Sequence, residues 1–142
     1  MTEVDVRVAP ATWAGERAHI ERVRRRVFIE EQAVPEELEW DGEDEHALHW
    51  LAWLGDDAIG TVRLRAGDHI GRMAVLREHR GRGVGALLLD AAVAHARAAG
   101  TPEVHLHAQV HALEFYARAG FVAEGPVFDD AGIPHRTMRR SL

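Results

Sequence analysis

The chain contains no cysteine among its 142 residues. This absence excludes a disulfide framework, thiolate catalysis and cysteine-based zinc binding. No apolar run approaches the roughly 18 residues of a membrane span. The first residues, Met1 to Asp5, lack the basic start and apolar core of a signal peptide. The sequence therefore predicts a cytoplasmic protein that does not associate with membranes.

Lysine is also absent, because all 17 basic residues are arginine. A Walker phosphate loop, which needs Gly-Lys followed by Ser or Thr, is therefore excluded. Internal repeats and low-complexity segments are lacking as well. Apolar residues make up 46% of the chain, which is enough to fill one core. We predict a single domain over residues 1–142.

The acidic residues are unevenly distributed. Residues 30–45 hold nine acidic side chains and no basic one, whereas the rest of the chain holds 14 acidic and 17 basic residues. Two interpretations stay open: a surface that attracts an amine-bearing partner, or a solvated loop. The run Arg24 to Arg26 is basic but has no interleaved aromatic residues. It indicates a solvated helix face, and we expect no nucleic-acid binding.

The spacing of apolar residues predicts alternating strands and helices. Val4 to Ala9 alternates like a half-buried strand that Pro10 ends, and Thr12 caps a helix that reaches about Glu31. The segment after this helix is predicted as a loop or a short second helix. Further strands are predicted at 46–54, 58–65, 69–76, 104–109, 121–124 and 135–140, and further helices at 86–99 and 112–119. The first three of these strands are joined by tight turns, so we expect an antiparallel meander.

The most distinctive motif is rich in glycine and arginine. It reads Arg80-Gly81-Arg82-Gly83-Val84-Gly85 and lies between a predicted strand and the predicted helix 86–99. Backbone N–H groups with no Cβ in the way can converge on an anion, and the N-terminus of the following helix adds partial positive charge. We expect this turn to bind a phosphate group.

Gly81, Gly83 and Ala86 also match the dinucleotide fingerprint G-x-G-x-x-A. That fingerprint requires repeated parallel βαβ units and an acidic residue near the end of the next strand. Here the preceding strands are predicted to be antiparallel, and residues 105–111 contain neither Asp nor Glu. A dinucleotide site is therefore excluded.

The turn and the order of elements together resemble the GNAT superfamily of N-acetyltransferases. Arg80, Gly83 and Gly85 satisfy its pyrophosphate-binding pattern, which is Arg or Gln, two residues, Gly, one residue, then Gly or Ala. Residues 115–121, Phe-Tyr-Ala-Arg-Ala-Gly-Phe, are similar to its F-Y-x-x-x-G-F element. Residues 27–35, with Asp41 and His46, look like the V-F-x-x-E-Q-x-x-P opening of a small bacterial subgroup, and residues 108–109 and 130–135 match its later parts.

The resemblance implies an α/β (α+β) architecture, the GNAT fold, with a mixed, mostly antiparallel sheet flanked by helices and with central strands that splay apart near Val75 and Leu106. It also implies acetyl-coenzyme A as cosubstrate and direct acetyl transfer to an amine in a ternary complex. His107 stands where the subgroup is expected to have Asn. The cofactor-binding residues implied by the resemblance are Met73, Ala74, Val75, Arg80, Gly81, Arg82, Gly83, Val84, Gly85, His107 and Phe115.

Acetyl transfer from a thioester needs a deprotonated amine, a stabilised oxyanion and a proton for the leaving thiolate. The resemblance assigns the oxyanion to a backbone N–H near Ala74 or Val75, and the proton to Tyr116, the only tyrosine. We predict Glu31 as the general base, with Glu30 and Glu36 as alternatives in the same segment. Contacts to the acceptor are predicted for Glu30, Gln32, His46, Arg63 and Gln109.

His105 and His107 lie two residues apart on a predicted strand, which is compatible with metal ligation, but no carboxylate lies near them in the sequence. We therefore expect no metal. The predicted acceptor is an amine on a small molecule, or a protein N-terminus or lysine, and the resemblance allows a homodimer. Two alternatives are a non-catalytic acetyl-coenzyme A-binding sensor or interaction module with the same fold, and an acyl-homoserine-lactone synthase, for which the chain is short.

Overall fold

A computed structural model describes residues 5–142, so Val4, the predicted start of the first strand, lies outside the described residues. The order of strands and helices agrees with the predicted order. The strands are β1 (Val6–Ala11), β2 (Leu48–Leu54), β3 (Asp57–Arg65), β4 (His69–Val75), β5 (Glu103–Gln109), β6 (Val122–Asp130) and β7 (Ile133–Ser141). The helices are α1 (Trp13–Arg24), α2 (Glu36–Glu39), α3 (Val84–Ala98) and α4 (Leu113–Arg118), and a π-helical segment (Arg25–Glu31) continues α1.

The strands form one sheet in the order β1-β2-β3-β4-β5-β7-β6. Every neighbouring pair is antiparallel except β4 and β5, which are parallel. The predicted mixed, mostly antiparallel sheet flanked by helices is therefore confirmed.

The two parallel strands diverge along their length. Their register contains the single pair His69 and His105, near the start of both strands. Beyond this pair the chain continues to Val75 on β4 and to Gln109 on β5 with no ladder pairing between them in the described structure. The predicted splaying of the central strands is confirmed, and it opens the sheet next to the end of β4.

The core lies on both sides of the central strands. Helices α1 and α3 both pack on β3, and residues 58–64 of that strand are all buried. Close packing of α3 depends on Gly60, because a Cβ there would lie 2.9 Å from Leu88 Cδ1 and 3.2 Å from the Ala74 carbonyl oxygen. This packing fixes α3, and therefore its N-terminus, against the end of β4.

Two strands continue past the residues that were predicted to end them. Strand β1 runs through Pro10 to Ala11, because β1 is an edge strand and the missing N–H of proline costs little there. Strand β6 does not end at Glu124 but continues to Asp130. Its pairing with β7 is irregular between Glu124 and Phe128, and this irregularity accommodates Gly125, which has a φ of +73°, and Pro126.

Helix α1 begins as predicted. The Thr12 side chain accepts a hydrogen bond of 3.0 Å from the Gly15 N–H. The helix and its π-helical continuation reach Glu31, as the spacing of apolar residues predicts. Among residues 5–142, no helix has the length and apolar character needed to cross a membrane.

Candidate functional site

A cleft of about 1050 Å³ lies where β4 and β5 diverge. Its walls come from β4, the π-helical segment, the start of α3, helix α4 and the end of the β6–β7 hairpin. The cleft therefore collects residues that are far apart in the sequence, including the glycine-arginine turn and the F-Y-x-x-x-G-F element.

The glycine-arginine turn forms one end of the cleft. Gly81 and Gly83 have φ values of +79° and +80°, which residues with a Cβ rarely adopt. Gly83 is the N-cap of α3, and the first-turn N–H groups of such a helix have no partner inside the helix. A Cβ on Gly85 would lie 3.3 Å from Phe115 Cζ, so this glycine lets α4 approach α3. The turn thus offers unpaired N–H groups at a helix N-terminus, an arrangement that binds anions.

Arg80 is held in place from two sides. Its Nη1 and Nη2 donate to the two oxygens of Glu31, over 2.6 and 2.7 Å, and its Nε donates to the Val75 carbonyl oxygen over 2.9 Å. The hydrogen bonds from Arg80 lower the pKa of Glu31. The π-helical segment is therefore joined to the glycine-arginine turn by a bidentate ion pair.

Strand β4 carries a bulge in the wall of the cleft. Opposite β3, Thr61 pairs with Ala74 and Arg63 pairs with Gly71, so β4 has one extra residue between these pairs. Arg72, inside the bulge, has a φ of +44°. Such a conformation is strained for arginine, and it persists only where the surroundings hold it.

The surroundings of Arg72 belong to a largely buried ion cluster that joins the acidic segment to α1, β3 and β4. The members of this ion cluster are Arg24, Arg63, Arg72, Glu39, Asp41 and Asp44. Three positive and three negative groups therefore balance each other.

The contacts of the ion cluster are short and mostly buried. Arg24 donates to Glu39 over 2.7 Å and to Asp44 over 2.6 Å, and its side chain is 1% exposed. Arg63 donates to both oxygens of Asp41 over 3.0 and 2.9 Å, and to Asp44 over 3.1 Å. Arg72 reaches Asp41 over 3.2 Å and Glu39 over 3.4 Å. The ion cluster thus holds the strained residue of the β4 bulge.

This arrangement corrects two interpretations of the sequence. The run Arg24 to Arg26 is not simply a solvated helix face, because Arg24 is fully buried. The acidic segment is neither only a solvated loop nor a free acidic surface, because Glu39 and Asp44 are buried and neutralise arginines of the same chain. Long-range pairing of this kind cannot be read from local charge patterns.

Burial and arginine contacts act on the pKa of Asp41 in opposite directions. Burial alone would raise that pKa, but hydrogen bonds from Arg63 and from the Glu43 N–H, together with the charges of Arg63 and Arg72, hold it well below its ordinary value. Asp41 therefore stays ionised through the whole neutral range.

Tyr116 lies on the α4 side of the cleft. Its ring meets Phe115 and Phe121 edge-on, with centroids 5.0 and 6.1 Å away. Burial raises the pKa of Tyr116 to about 12, so the phenol keeps its proton at neutral pH. The hydrogen bonds found among residues 5–142 include none to the phenol oxygen.

Several imidazoles lie around the point where β4 and β5 separate. The ring centroids of His69 and His105 are 4.6 Å apart, and those of His69 and His107 are 5.0 Å apart. Burial, with the positive charge of Arg65 and the neighbouring imidazoles, lowers the pKa of His69 to about 3, and burial also lowers that of His107. These two rings are therefore neutral at pH 7. Within the described part of the chain, no three His, Asp or Glu side chains are arranged to hold a metal ion.

Most of the predicted site residues line the same cleft. Arg82, Glu30 and His46 do not line it, and all three are exposed. Arg63 lines it, but its Nη atoms are occupied by Asp41 and Asp44. The predicted residues that line the cleft are Glu31, Gln32, Arg63, Met73, Ala74, Val75, Arg80, Gly81, Gly83, Val84, Gly85, His107, Gln109, Phe115 and Tyr116.

Sequence reasoning missed other residues of the cleft wall. Arg72 gave no signal, because its positive φ and its partners exist only in the folded chain. Asp130, Ile133 and His135 also line the cleft. They fall within residues 130–135, which resemble the bacterial subgroup, and the polar residues Asp130 and His135 were the signal that could have identified this segment.

Comparisons with known proteins agree with this geometry. A family model described as an acetyltransferase (GNAT) domain matches residues 11–142. YjcF of Bacillus subtilis (strain 168), described as an uncharacterized N-acetyltransferase, is 37% identical over 122 residues, which cover 83% of this chain and 87% of the relative. The crystal structure of an acyl-CoA N-acyltransferase from Pseudomonas aeruginosa is 31% identical, with a TM-score of 0.86, and the match covers 96% of this chain and 99% of that one.

Escherichia coli ElaA, also known from a crystal structure, is 26% identical with a TM-score of 0.86, over 96% of this chain and 99% of that one. These matches span almost the whole of each protein, so they concern the complete sheet and its cleft. Together with the family model, they confirm the predicted GNAT fold and the resemblance to the superfamily. The chain therefore belongs to the GNAT acetyltransferase family and is an acyltransferase.

Proposed function

We propose that the protein transfers an acetyl group from acetyl-coenzyme A to an amine acceptor by direct attack in a ternary complex. The observation that carries the proposal is the divergence of β4 and β5 beside an anion-binding helix N-terminus. The solved relative at 31% identity is named an acyl-CoA N-acyltransferase, which supports a coenzyme A thioester as the donor here.

The glycine-arginine turn is proposed to hold the pyrophosphate of the cofactor. The N–H groups of Gly83, Val84 and Gly85 are the donors, since N–H groups at the N-terminus of a helix are free to bind a phosphate. Arg80 adds positive charge beside them. Glu31 orients Arg80 through the bidentate ion pair, and this role replaces that of the predicted base, because both of its oxygens are occupied.

The backbone of β4 is proposed to bind the thioester carbonyl. Beyond His69, the edge of β4 that faces β5 makes no ladder pairs in the described structure, so its N–H groups near Ala74 and Val75 are available to an oxyanion. The bulge at Arg72 sets the direction of this part of the strand. Met73, beside the bulge, and Phe115, across the cleft, are proposed to contact the pantetheine arm.

Tyr116 is proposed to protonate the leaving thiolate. Its phenol carries a proton at neutral pH and lines the cleft beside the proposed pantetheine site. When the C–S bond breaks, the phenol oxygen gives its proton to the sulfur.

The acceptor is proposed to enter on the side where Gln32 faces Gln109. Gln32 and Gln109 join β5 to the π-helical segment by two amide hydrogen bonds, of 3.3 and 3.0 Å. His107 lies on the same strand, two residues before Gln109, and offers a neutral polar group. The acceptor is an amine of a small molecule, or a protein N-terminus or lysine.

Thiol release with acetyl-coenzyme A tests this function. Spermidine, glucosamine, 2-phenylethylamine and a tripeptide with a free N-terminus sample the main classes of amine. We expect at least one of them to be acetylated, with thiol released in equal amount and the product identified by mass spectrometry. Binding of acetyl-coenzyme A without turnover of any amine would contradict the proposal and support the sensor alternative.

A further inference from the structure

Imidazoles that line the cleft differ in which ring nitrogen is free to accept a proton. In His69, Nδ1 lies 2.9 Å from Arg65 Nη2. An arginine can only donate, so Nδ1 accepts, and the neutral ring carries its hydrogen on Nε2. In His111, Nε2 lies 2.6 Å from the side-chain oxygen of Gln109, to which it donates. Both of these rings therefore carry hydrogen on Nε2.

His135 has the opposite arrangement. Its Nδ1 lies 2.7 Å from the carbonyl oxygen of Ile133. A carbonyl can only accept, so Nδ1 donates, and the neutral ring leaves Nε2 with a free lone pair. The ring stacks on Phe128 with centroids 5.9 Å apart and planes 22° from parallel, and the residue is 9% exposed. A backbone carbonyl and an aromatic neighbour thus fix both the tautomer and the orientation.

The position of His135 also suits proton transfer in the cleft. On β7 it pairs with Gln109, at the end of β5 where the sheet has opened, and it lines the same cleft as Val75 and Tyr116. The ionisable or charged residues that line the cleft from the neighbouring strands and turn are Arg63, Arg65, His69, Arg72, His107, His111 and Asp130. Since His69 and His107 are neutral at pH 7, these two rings add no positive charge there.

We propose that His135 is the general base that deprotonates the acceptor amine, directly or through one water molecule. This inference rests on the proposed acetyltransferase function. Nε2 takes one proton from the acceptor ammonium, the amine lone pair then forms the C–N bond, and the C–S bond breaks. The thiolate takes the proton of Tyr116. The second proton of the former amine returns to the phenolate through solvent, and His135 releases its proton to solvent.

The substitution His135→Asn separates this role from a structural one. The asparagine amide reaches the position of Nδ1 and can still donate to the Ile133 carbonyl, but it has no atom in place of Nε2. We expect kcat/KM to fall by about 10² to 10⁴-fold, the usual contribution of a general base. The decrease in wild-type kcat/KM at acidic pH, which reports protonation of the base in the free enzyme, should disappear in the variant. The matched variant His111→Asn should keep that decrease.

The assay uses thiol release with whichever of the four amines above reacts fastest, and calorimetry measures acetyl-coenzyme A binding in parallel. Binding by His135→Asn should equal that of the wild type. A variant that keeps wild-type kcat/KM and its pH dependence would overturn the base assignment while leaving the acetyltransferase function standing. A wild type inactive on all four amines would instead contradict the function, and the base assignment with it.

Nitrogen-15 NMR of the wild-type enzyme provides a readout that needs no acceptor. At a pH where the ring is neutral, Nδ1 of His135 should have the chemical shift of a protonated nitrogen and Nε2 that of an unprotonated one. The reverse pattern would overturn the assignment.

Discussion

Glu31 and Arg80 share one ion pair, and this contact limits the chemistry open to Glu31. A carboxylate whose two oxygens both accept from a guanidinium, and whose pKa is lowered, is a poor proton acceptor. Glu31→Gln should therefore keep kcat within about threefold and keep the acidic decrease in kcat/KM. Glu30→Gln, which changes the exposed neighbour, is the matched control. A loss of a hundredfold in the Glu31 variant alone, with the acidic decrease removed, would restore Glu31 as the base.

The protonated phenol of Tyr116 leads to a prediction about how kcat depends on pH. Because the pKa of its phenol is about 12, the group is protonated over the whole range from about pH 6 to 10. Tyr116→Phe should lower kcat by about 10² to 10⁴-fold, by the same factor at every pH in this range, with acetyl-coenzyme A affinity unchanged. Steady-state kinetics and calorimetry measure the two quantities. Unchanged kcat would exclude the phenol as the proton donor.

At the scale of residues, the sequence was informative where a motif constrains the backbone. The turn from Arg80 to Gly85 could be identified because left-handed glycines and a helix N-terminus leave a local pattern. The partner of Arg80 could not, because Glu31 lies 49 residues away in the chain. His135 lies in residues 130–135, which resemble the bacterial subgroup, but its tautomer depends on a carbonyl that only the fold places beside it.

Among the elements, the acidic segment stabilises the fold through its ion pairs with α1 and β3. Asp44 accepts from both Arg24 and Arg63 and is buried, so neutralising it removes one of the two carboxylate partners of each of these buried cations. Asp44→Asn should lower the free energy of unfolding by about 3–5 kcal/mol, the usual cost of breaking a buried ion pair.

Urea titration at pH 7 measures this loss. The control Glu37→Gln changes an exposed acid in the same segment and should stay within about 0.5 kcal/mol of the wild type. Equal stability of Asp44→Asn and Glu37→Gln would mean that the ion cluster does not hold the acidic segment in place.

The elements themselves were largely predictable, because period-2 and helical spacing of apolar residues report directly on burial. The predicted strand ends are wrong at Pro10 and at the Gly125-Pro126 pair. A residue that usually ends a strand is tolerated there by an edge strand or by a bulge. The bulge at Arg72 left no local signal, since the groups that hold it come from the acidic segment. The spacing of apolar residues predicts where strands and helices form, whereas these exceptions depend on where a strand lies in the sheet.

For the whole molecule, internal charge pairing predicts how stability depends on pH. The pKa of Asp41 is lowered in the folded protein, so its contribution to stability is fully present above the unfolded value of about 4 and is lost as the pH falls further. The stability difference between wild type and Asp41→Asn should therefore be constant from about pH 5 to 8 and should shrink below about pH 4. Urea titrations across this range measure it, and a difference that grows on acidification would contradict the assigned direction.

The central claim is that the cleft between the diverging strands binds acetyl-coenzyme A through the glycine-arginine turn, and calorimetric titration of acetyl-coenzyme A tests it most directly. Gly83→Val places a branched side chain at a φ of +80°, and Gly67→Val makes the same change at a φ of +81° in an exposed turn outside the cleft. Both variants carry similar backbone strain. We expect wild type and Gly67→Val to bind alike and Gly83→Val to bind at least about tenfold more weakly, a difference of about 1.4 kcal/mol. Equal affinity of all three proteins, or no binding by the wild type, would contradict the account.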